Sequence, residues 1–185
     1  MLKRASAITY DDLQNQIIVA DKTGEAWSFP FPLSPTIQQT YDKIKTLPLP
    51  DDKNPLTKAT DERFLGQFLL GHSSSVVCMC LIDTRWGRAL VTGDRDEHIR
   101  ISVYPETHII HAMGLGHASF LSEVVPLREG GIISGGGDMK VISWDENGNI
   151  RAEGSVEIGT CLRCIRQWRD MVFVVGDGYV FVNRG

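Results

Sequence analysis

The sequence lacks any stretch close to the ~20 consecutive apolar residues that a membrane-spanning helix needs. Its first residues, MLKRASAITYDD, also lack the apolar centre of a signal peptide. We therefore expect a soluble, intracellular protein with no membrane partner. The formal net charge of −4 argues against a protein whose main role is to grip phosphate backbone, because such domains are strongly basic. Any contact with nucleic acid is expected to be local or shared with a partner.

Cysteine is scarce, with four residues among 185. Cys78 and Cys80 form a C-x-C pair, and Cys161 and Cys164 form a C-x-x-C pair, so a zinc site is one interpretation. In an extended strand, however, residues two apart share a face and residues three apart point to opposite faces. Buried free thiols in a reducing compartment explain the four cysteines more simply. We predict no metal site.

The sequence also lacks the usual catalytic motifs. It has no nucleophile elbow and no His-Glu-x-x-His helix, and its short segments separated by Gly, Asp and Asn turns exclude a strand–helix alternation. Gly135-Gly136-Gly137-Asp138 does not form a phosphate cradle, because the following residues 139–144 alternate as a strand and not as a helix. We predict no catalytic residues and no bound cofactor.

Two similar segments dominate what the sequence does contain. One runs from Gly71-His72 to Arg95-Asp96, and the other runs from Gly116-His117 to Gly137-Asp138 and closes with Trp144-Asp145. The two histidines are separated by about one WD-type repeat of ~40–45 residues. This period predicts an all-β fold, a WD-repeat β-propeller.

The second copy contains the side chains of a blade tetrad, namely His117, Ser134, Asp138 and Trp144. An indole N–H only donates, a hydroxyl and an imidazole both donate and accept, and a carboxylate only accepts. The four groups can therefore satisfy one another inside an apolar stack of sheets. This predicts a structural role for the two histidine–aspartate pairs of the repeats.

The first copy has a degenerate tetrad. His72 and Thr92 occupy the positions of the histidine and the hydroxyl. Asp96 follows Thr92 by the same number of residues as Asp138 follows Ser134. The tryptophan position is Ser102.

The chain is expected to be a single propeller portion over residues 1–185, with about four blades or partial blades. The first blade is predicted from strands at Ile17–Ala20 and Ala26–Phe29, with a first strand that is short or missing. A proline-rich loop at about 31–66 is predicted between blades, and the second blade is predicted to begin at Phe68. Two further blades follow from about 115 and 160, so we expect an incomplete propeller.

Individual motifs point to one family. The strings are Ser6-Ala7-Ile8, Val19-Ala20-Asp21-Lys22-Thr23-Gly24-Glu25, residues 92–102 (TGDRDEHIRIS), Gly114-Leu115-Gly116-His117 with Phe120-Leu121-Ser122, and Ser134-Gly135-Gly136-Gly137-Asp138. Together they resemble the non-catalytic WD-repeat subunit of the eukaryotic tRNA (guanine-N7)-methyltransferase. The run Asp94-Arg95-Asp96-Glu97 followed by Ile99-Arg100-Ile101-Ser102 is the most specific part of the resemblance.

The resemblance implies a seven-bladed parent propeller in the nucleus. Such a subunit binds and stabilises a separate catalytic subunit, which uses S-adenosylmethionine to methylate a guanine in the variable loop of tRNA. The partners implied are thus the catalytic methyltransferase subunit and, through the complex, tRNA. The chain itself would be non-catalytic.

The resemblance also implies a partner interface at Ser119, Phe120, Ser122 and Glu123. In the family a basic residue in this strand can pair with an acid of the partner, so Glu123 is a departure. We expect Phe120 and its neighbours to pack at the contact while the ion pair is absent or rewired. Arg95 is a further candidate, because a guanidinium near a blade turn can meet a carboxylate or a phosphate.

Two other functions remain open from the residues. A generic WD-repeat scaffold or adaptor in another multiprotein complex would have the same framework, since a fold does not name its partner. An enzyme that binds a metal through the four cysteines is the second alternative.

Overall fold

The computed structural model describes residues 4–31, 66–155, 161–169, 171–176 and 179–184. These residues form fifteen strands and no α-helix, so the described part has no helix that could cross a membrane. The strands form four antiparallel sheets, in each of which consecutive strands are neighbours. We call these sheets blades one to four, in chain order.

Blades one and two have four strands each. Blade one contains β1 (Ala5–Asp11), β2 (Gln16–Asp21), β3 (Glu25–Pro30) and β4 (Gln67–Gly71). Blade two contains β5 (Val76–Thr84), β6 (Gly87–Asp94), β7 (Ile99–Val103) and β8 (Ile110–Gly114).

Blade three has four strands, and three strands of blade four are described. Blade three contains β9 (Leu121–Pro126), β10 (Ile132–Gly136), β11 (Lys140–Trp144) and β12 (Ile150–Ser155). Blade four contains β13 (Leu162–Trp168), β14 (Met171–Gly176) and β15 (Tyr179–Arg184).

The core lies between the blades, because both faces of each inner strand are apolar. In β10, Ile132 belongs to the cluster between blades two and three, and Ile133 belongs to the cluster between blades three and four. In β6, Val91 belongs to the cluster between blades two and three, and Leu90 belongs to the cluster between blades one and two. Successive side chains of a strand point to opposite faces, so an uninterrupted apolar run produces two cores from one strand.

The first strands of consecutive blades pack side by side, β1 against β5, β5 against β9 and β9 against β13. The turns therefore gather at the two ends of the stack. One end carries the segments that lead into β5 and β9 and the β2–β3, β6–β7 and β10–β11 turns. The opposite end carries the β1–β2, β5–β6, β9–β10 and β13–β14 turns.

Three predictions on blade boundaries need correction. The first strand of blade one is present, because β1 spans seven residues and pairs with β2 along most of its length. Phe68 lies in β4, which pairs with β3, so it ends blade one and does not begin blade two. The proline-rich segment therefore connects two strands of one blade and not two blades; its residues 32–65 lie outside the described residues.

Candidate functional site

The tetrad of blade three forms a continuous hydrogen-bond chain. Trp144 Nε1 donates to Ser134 Oγ at 2.7 Å, and Ser134 Oγ lies 2.8 Å from His117 Nε2. His117 Nδ1 lies 3.0 Å from both carboxylate oxygens of Asp138. Because the carboxylate only accepts, Nδ1 donates to it and Nε2 accepts the serine proton. Every polar group in the series thus has a partner, which is what burial in an apolar stack requires.

The strands and turns of blade three place these four side chains. Ser134 and Trp144 come from the paired strands β10 and β11, where Trp144 lies opposite Ile132. Asp138 lies in the β10–β11 turn and also accepts the N–H groups of Ala118, at 2.9 Å, and Lys140, at 3.2 Å. Burial raises the pKa of Asp138, but the hydrogen bonds from Ala118 and His117 outweigh it and hold the pKa below its usual value.

In blade two the acid that binds the histidine is Asp94 and not Asp96. His72 Nδ1 lies 3.2 Å from Asp94 Oδ2, and His72 Nε2 lies 2.8 Å from Thr92 Oγ1. Asp96 is exposed. The prediction of Asp96 is therefore wrong, because it assumed that the acid follows the hydroxyl by the same number of residues in both blades.

The length of the turn explains the shift. Asp94 ends β6, and its Oδ1 accepts the N–H groups of Asp96 at 2.9 Å and of His98 at 3.0 Å. Asp21 ends β2 and accepts the N–H groups of Thr23 and Glu25 in the same way. In many turns an aspartate side chain accepts a hydrogen bond from the backbone N–H two residues further along the chain. The turns at 21–25 and 94–98 both begin with an aspartate, and this similarity is the feature of the sequence that indicates Asp94.

Arg100 bonds the serine that stands at the tryptophan position of blade two. Ser102 is fully buried and lies opposite Leu90, just as Trp144 lies opposite Ile132. Arg100 Nε donates to Ser102 Oγ at 2.9 Å, and its terminal nitrogens donate to the carbonyls of Thr107 at 2.7 Å and Gly71 at 3.2 Å. Burial lowers the pKa of Arg100. Its guanidinium therefore joins blade two to the end of β4 and is part of the framework.

The buried histidine of blade two makes stability depend on pH. Burial lowers the pKa of His72, and this outweighs the opposing effect of its hydrogen bond to Asp94. The unfolded chain, with a histidine pKa of about 6.5, then binds a proton that the folded chain does not. Stability should fall as pH drops from about 6.5 towards the lower folded pKa, and His72→Gln should flatten this slope.

Free energies of unfolding from urea titrations between pH 7 and pH 5 would measure this effect. His108→Gln is the matched control, because His108 is exposed. Equal slopes for the wild type and His72→Gln would contradict the assignment of a neutral buried His72.

The predicted partner interface lies where the chain enters blade three. Phe120 precedes β9, and its side chain is 43% exposed. Its carbonyl accepts the N–H of Gly137 at 2.9 Å, and a Cβ on Gly137 would lie only 2.5 Å from the phenyl ring. Ser119 and Ser122 are partly exposed on either side. The β10–β11 turn therefore packs against one side of the Phe120 ring, and the other side is exposed to solvent.

Glu123 forms an ion pair within the chain. Its Oε1 lies 2.8 Å from Arg166 Nη1 of blade four, and its Oε2 lies 3.4 Å from the N–H of Ile165. The hydrogen bond that Arg166 donates to Glu123 is the main cause that raises the pKa of Arg166. The acid thus ties β9 to β13, and the exposed charge at this place is the guanidinium of Arg166. Arg95, the remaining candidate, is exposed in the β6–β7 turn.

Three of the four cysteines are buried, and two of them belong to one core cluster. Cys78 and Cys80 are buried in the cluster between blades two and three, where burial raises the pKa of Cys80 to about 12 and that of Cys78 further. Thiols with such raised pKa values are poor metal ligands, since a metal binds the thiolate. Cys161 is buried and Cys164 is partly exposed, and neither forms a disulfide. Among the described residues, no group of His, Cys, Asp or Glu side chains is arranged to hold a metal ion.

Solved structures share the fold. The RRP9 WD40 repeats align with 97% of this chain and 47% of that chain at a TM-score of 0.66 and 18% identity. The computationally designed Ika4 protein aligns with 100% of this chain and 92% of that chain at a TM-score of 0.68 and 16% identity. These similarities confirm the predicted all-β propeller class.

Similar sequences identify the family. The family described as "tRNA methyltransferase TRM82 WD40 domain" matches residues 43–158. The tRNA (guanine-N(7)-)-methyltransferase non-catalytic subunit TRM82 of Phaeosphaeria nodorum is 30% identical over 78% of this chain and 36% of its own length. The corresponding proteins of Aspergillus oryzae and Saccharomyces cerevisiae are 32% and 31% identical, over 36% and 27% of their lengths. The chain spans about a third of the length of these relatives, and it belongs to the TRM82 WD40-domain family.

Proposed function

We propose that this chain acts as a non-catalytic WD-repeat subunit that binds and stabilises the catalytic subunit of a tRNA (guanine-N7)-methyltransferase. The complex would methylate a guanine in the variable loop of tRNA. The observation that carries the proposal is the family match over residues 43–158. S-adenosylmethionine would bind to the catalytic subunit, and the complex would work in the nucleus.

The chemistry of the described blades supports a platform and not a reaction centre. The two histidines that would be obvious proton carriers, His72 and His117, have buried side chains with a hydrogen bond on each ring nitrogen. A general base needs access to the proton that it removes. These imidazoles instead serve to hold the blades in a rigid arrangement.

The open side of the Phe120 ring is our proposed hydrophobic contact for the catalytic subunit. Exposed aromatic side chains on a rigid support lose little conformational entropy on binding and often anchor an interface. Ser119 and Ser122 flank the ring, and Glu123 positions Arg166 close by instead of meeting the partner itself. The rewired ion pair that the sequence suggests at Glu123 therefore corresponds to a pair within this chain.

The test is the N7-methylguanosine content of bulk tRNA from cells with and without this gene, measured by nucleoside mass spectrometry. We expect deletion to remove most of this nucleoside, because the catalytic subunit would lose its stabilising partner. Re-expression of the wild-type gene should restore it, and the other modified nucleosides serve as internal controls. Undiminished N7-methylguanosine would overturn the proposal and favour a scaffold in another complex.

A further inference from the structure

We propose that the end of the stack opposite Phe120 carries an RNA-binding surface made by Arg128, Arg151, Trp168 and Arg169. The inference rests on the proposed function for its choice of RNA, and its geometry rests on the described blades three and four. Phe120 and Arg128 lie just beyond opposite ends of β9, a strand of six residues and therefore roughly 20 Å long. A protein partner at one end and RNA at the other would not compete for the same residues.

Tertiary contacts bring these residues together from separate parts of the sequence. The side-chain oxygen of Gln167, at the end of β13, accepts the N–H of Arg128 in the β9–β10 turn at 3.0 Å. The side chain of Arg151, in β12, contacts the same turn, because its Nη1 donates to the carbonyl of Gly130 at 2.8 Å. Trp168 and Arg169 directly follow Gln167. The β9–β10 and β13–β14 turns thus form one continuous surface.

The chemistry of this surface suits a nucleic-acid backbone with an accessible base. The Trp168 side chain is 51% exposed, and the guanidinium carbon of Arg169 lies 4.6 Å from the centre of an indole ring of Trp168. An exposed aromatic face stacks on bases, and guanidinium groups bind phosphate with two N–H groups at once. A stacked base beside bound phosphates is typical of RNA recognition.

Among the described residues these arginines form no ion pair, as is also true of Arg4, Lys22 and Arg95 at the other end of the stack. Arg85, Arg88, Lys140 and Arg166 each form an ion pair with a carboxylate of this chain. Within the described residues, Arg128, Arg151 and Arg169 form none, although all three are exposed. Two acids lie nearby: Glu129 accepts a hydrogen bond from Gln167, and Asp145 accepts the N–H groups of Asn147 and Asn149. These donors are neutral, so the bonds do not cancel the charge of the two carboxylates. Three exposed guanidinium groups therefore lie beside these two carboxylates, on a chain of net charge −4.

The test compares tRNA binding by the wild-type chain and the triple variant Arg128→Gln/Arg151→Gln/Arg169→Gln, alone and with the catalytic subunit. Fluorescence anisotropy at several salt concentrations gives the slope of log affinity against log salt. We expect the triple variant to bind more weakly and its slope to fall by about two to three, close to one for each lost phosphate contact. Arg4→Gln/Lys22→Gln/Lys140→Gln changes the net charge equally, at the other end of the stack, and should leave the slope unchanged.

Trp168→Ala tests the stacking contribution separately. It should weaken binding by roughly five- to a hundred-fold with little change in the salt slope, because stacking releases no counterions. Trp168→Phe should restore most of the affinity.

The outcomes distinguish this surface from the proposed function. Equal affinity and slope for the wild type and the arginine triple variant would overturn the RNA surface, even if the chain still binds the catalytic subunit. A chain that does not bind the catalytic subunit would overturn the proposed function, whereas the tRNA titration of the chain alone would still decide the RNA surface. Binding of the chain to a poly-glutamate peptide but not to tRNA would also overturn the RNA surface and would indicate an acidic protein partner.

Discussion

Replacement of Trp144 by alanine is expected to lower the free energy of unfolding by about 3–5 kcal/mol. The indole is 1% exposed and fills the core between blades two and three. Its ring lies against the backbone of Gly114 and Gly116, where an added Cβ would approach it to 3.2 Å and 3.0 Å. Removal of the ring would leave a cavity that rigid strands close only in part, and it would also leave the Ser134 hydroxyl without its indole donor.

Urea or thermal unfolding of the full chain measures this loss. Trp168→Ala is the matched control, because it removes the same side chain from a half-exposed position and should cost less than about 1 kcal/mol. Trp144→Phe separates the two contributions: it keeps most of the ring, removes the N–H, and should cost about 1–3 kcal/mol. Similar losses for the two alanine variants would contradict the central role of the tetrad.

The tetrad of blade three could be predicted from sequence because its four residue types occur at their usual separations. The tetrad of blade two could not be located by counting, because the acid there ends a strand and caps a longer turn. Backbone hydrogen bonds, and not residue spacing, decide which carboxylate turns towards the histidine. A comparison of turns 21–25 and 94–98 with each other would have selected Asp94.

Residues that act across blades were the hardest to predict. The sequence indicated Glu123 as an unusual acid, but its partner Arg166 lies in the next blade, more than 40 positions further on. Arg128, Arg151 and Arg169 are likewise scattered along the sequence and form one surface only because Gln167 joins two turns. A net charge of −4 gives no sign of such a local site.

Blade order was predictable, whereas blade boundaries were partly wrong. The strand periodicity located most strands correctly. The long segment between β3 and β4 concealed their pairing, because strands that are adjacent in a sheet are usually joined by short connections. The sequence therefore predicts that β4 starts a new blade, whereas its hydrogen bonds complete the first.

Replacement of Gly131 by alanine is the second change for which we expect a large loss of stability. Gly131 has a φ of +82°, and an added Cβ would lie 2.0 Å from the carbonyl oxygen of Trp144. That atom belongs to the backbone of β11, so the contact could be relieved only by moving β11 away from β10 at the tetrad tryptophan. The left-handed backbone costs about 1–2 kcal/mol for alanine, and the forced movement adds about 1–3 kcal/mol.

The preceding residue provides the control for this substitution. Gly130 has a φ of +87°, nearly the same as that of Gly131, but no atom lies within 4 Å of the position of its Cβ. Gly130→Ala should therefore show the cost of backbone conformation alone, about 1–2 kcal/mol by chemical denaturation. The difference between the two variants isolates the steric contact with β11. Equal losses at the two positions would mean that the Trp144 carbonyl can move without cost, and that the strand pairing beside the tetrad is not rigid.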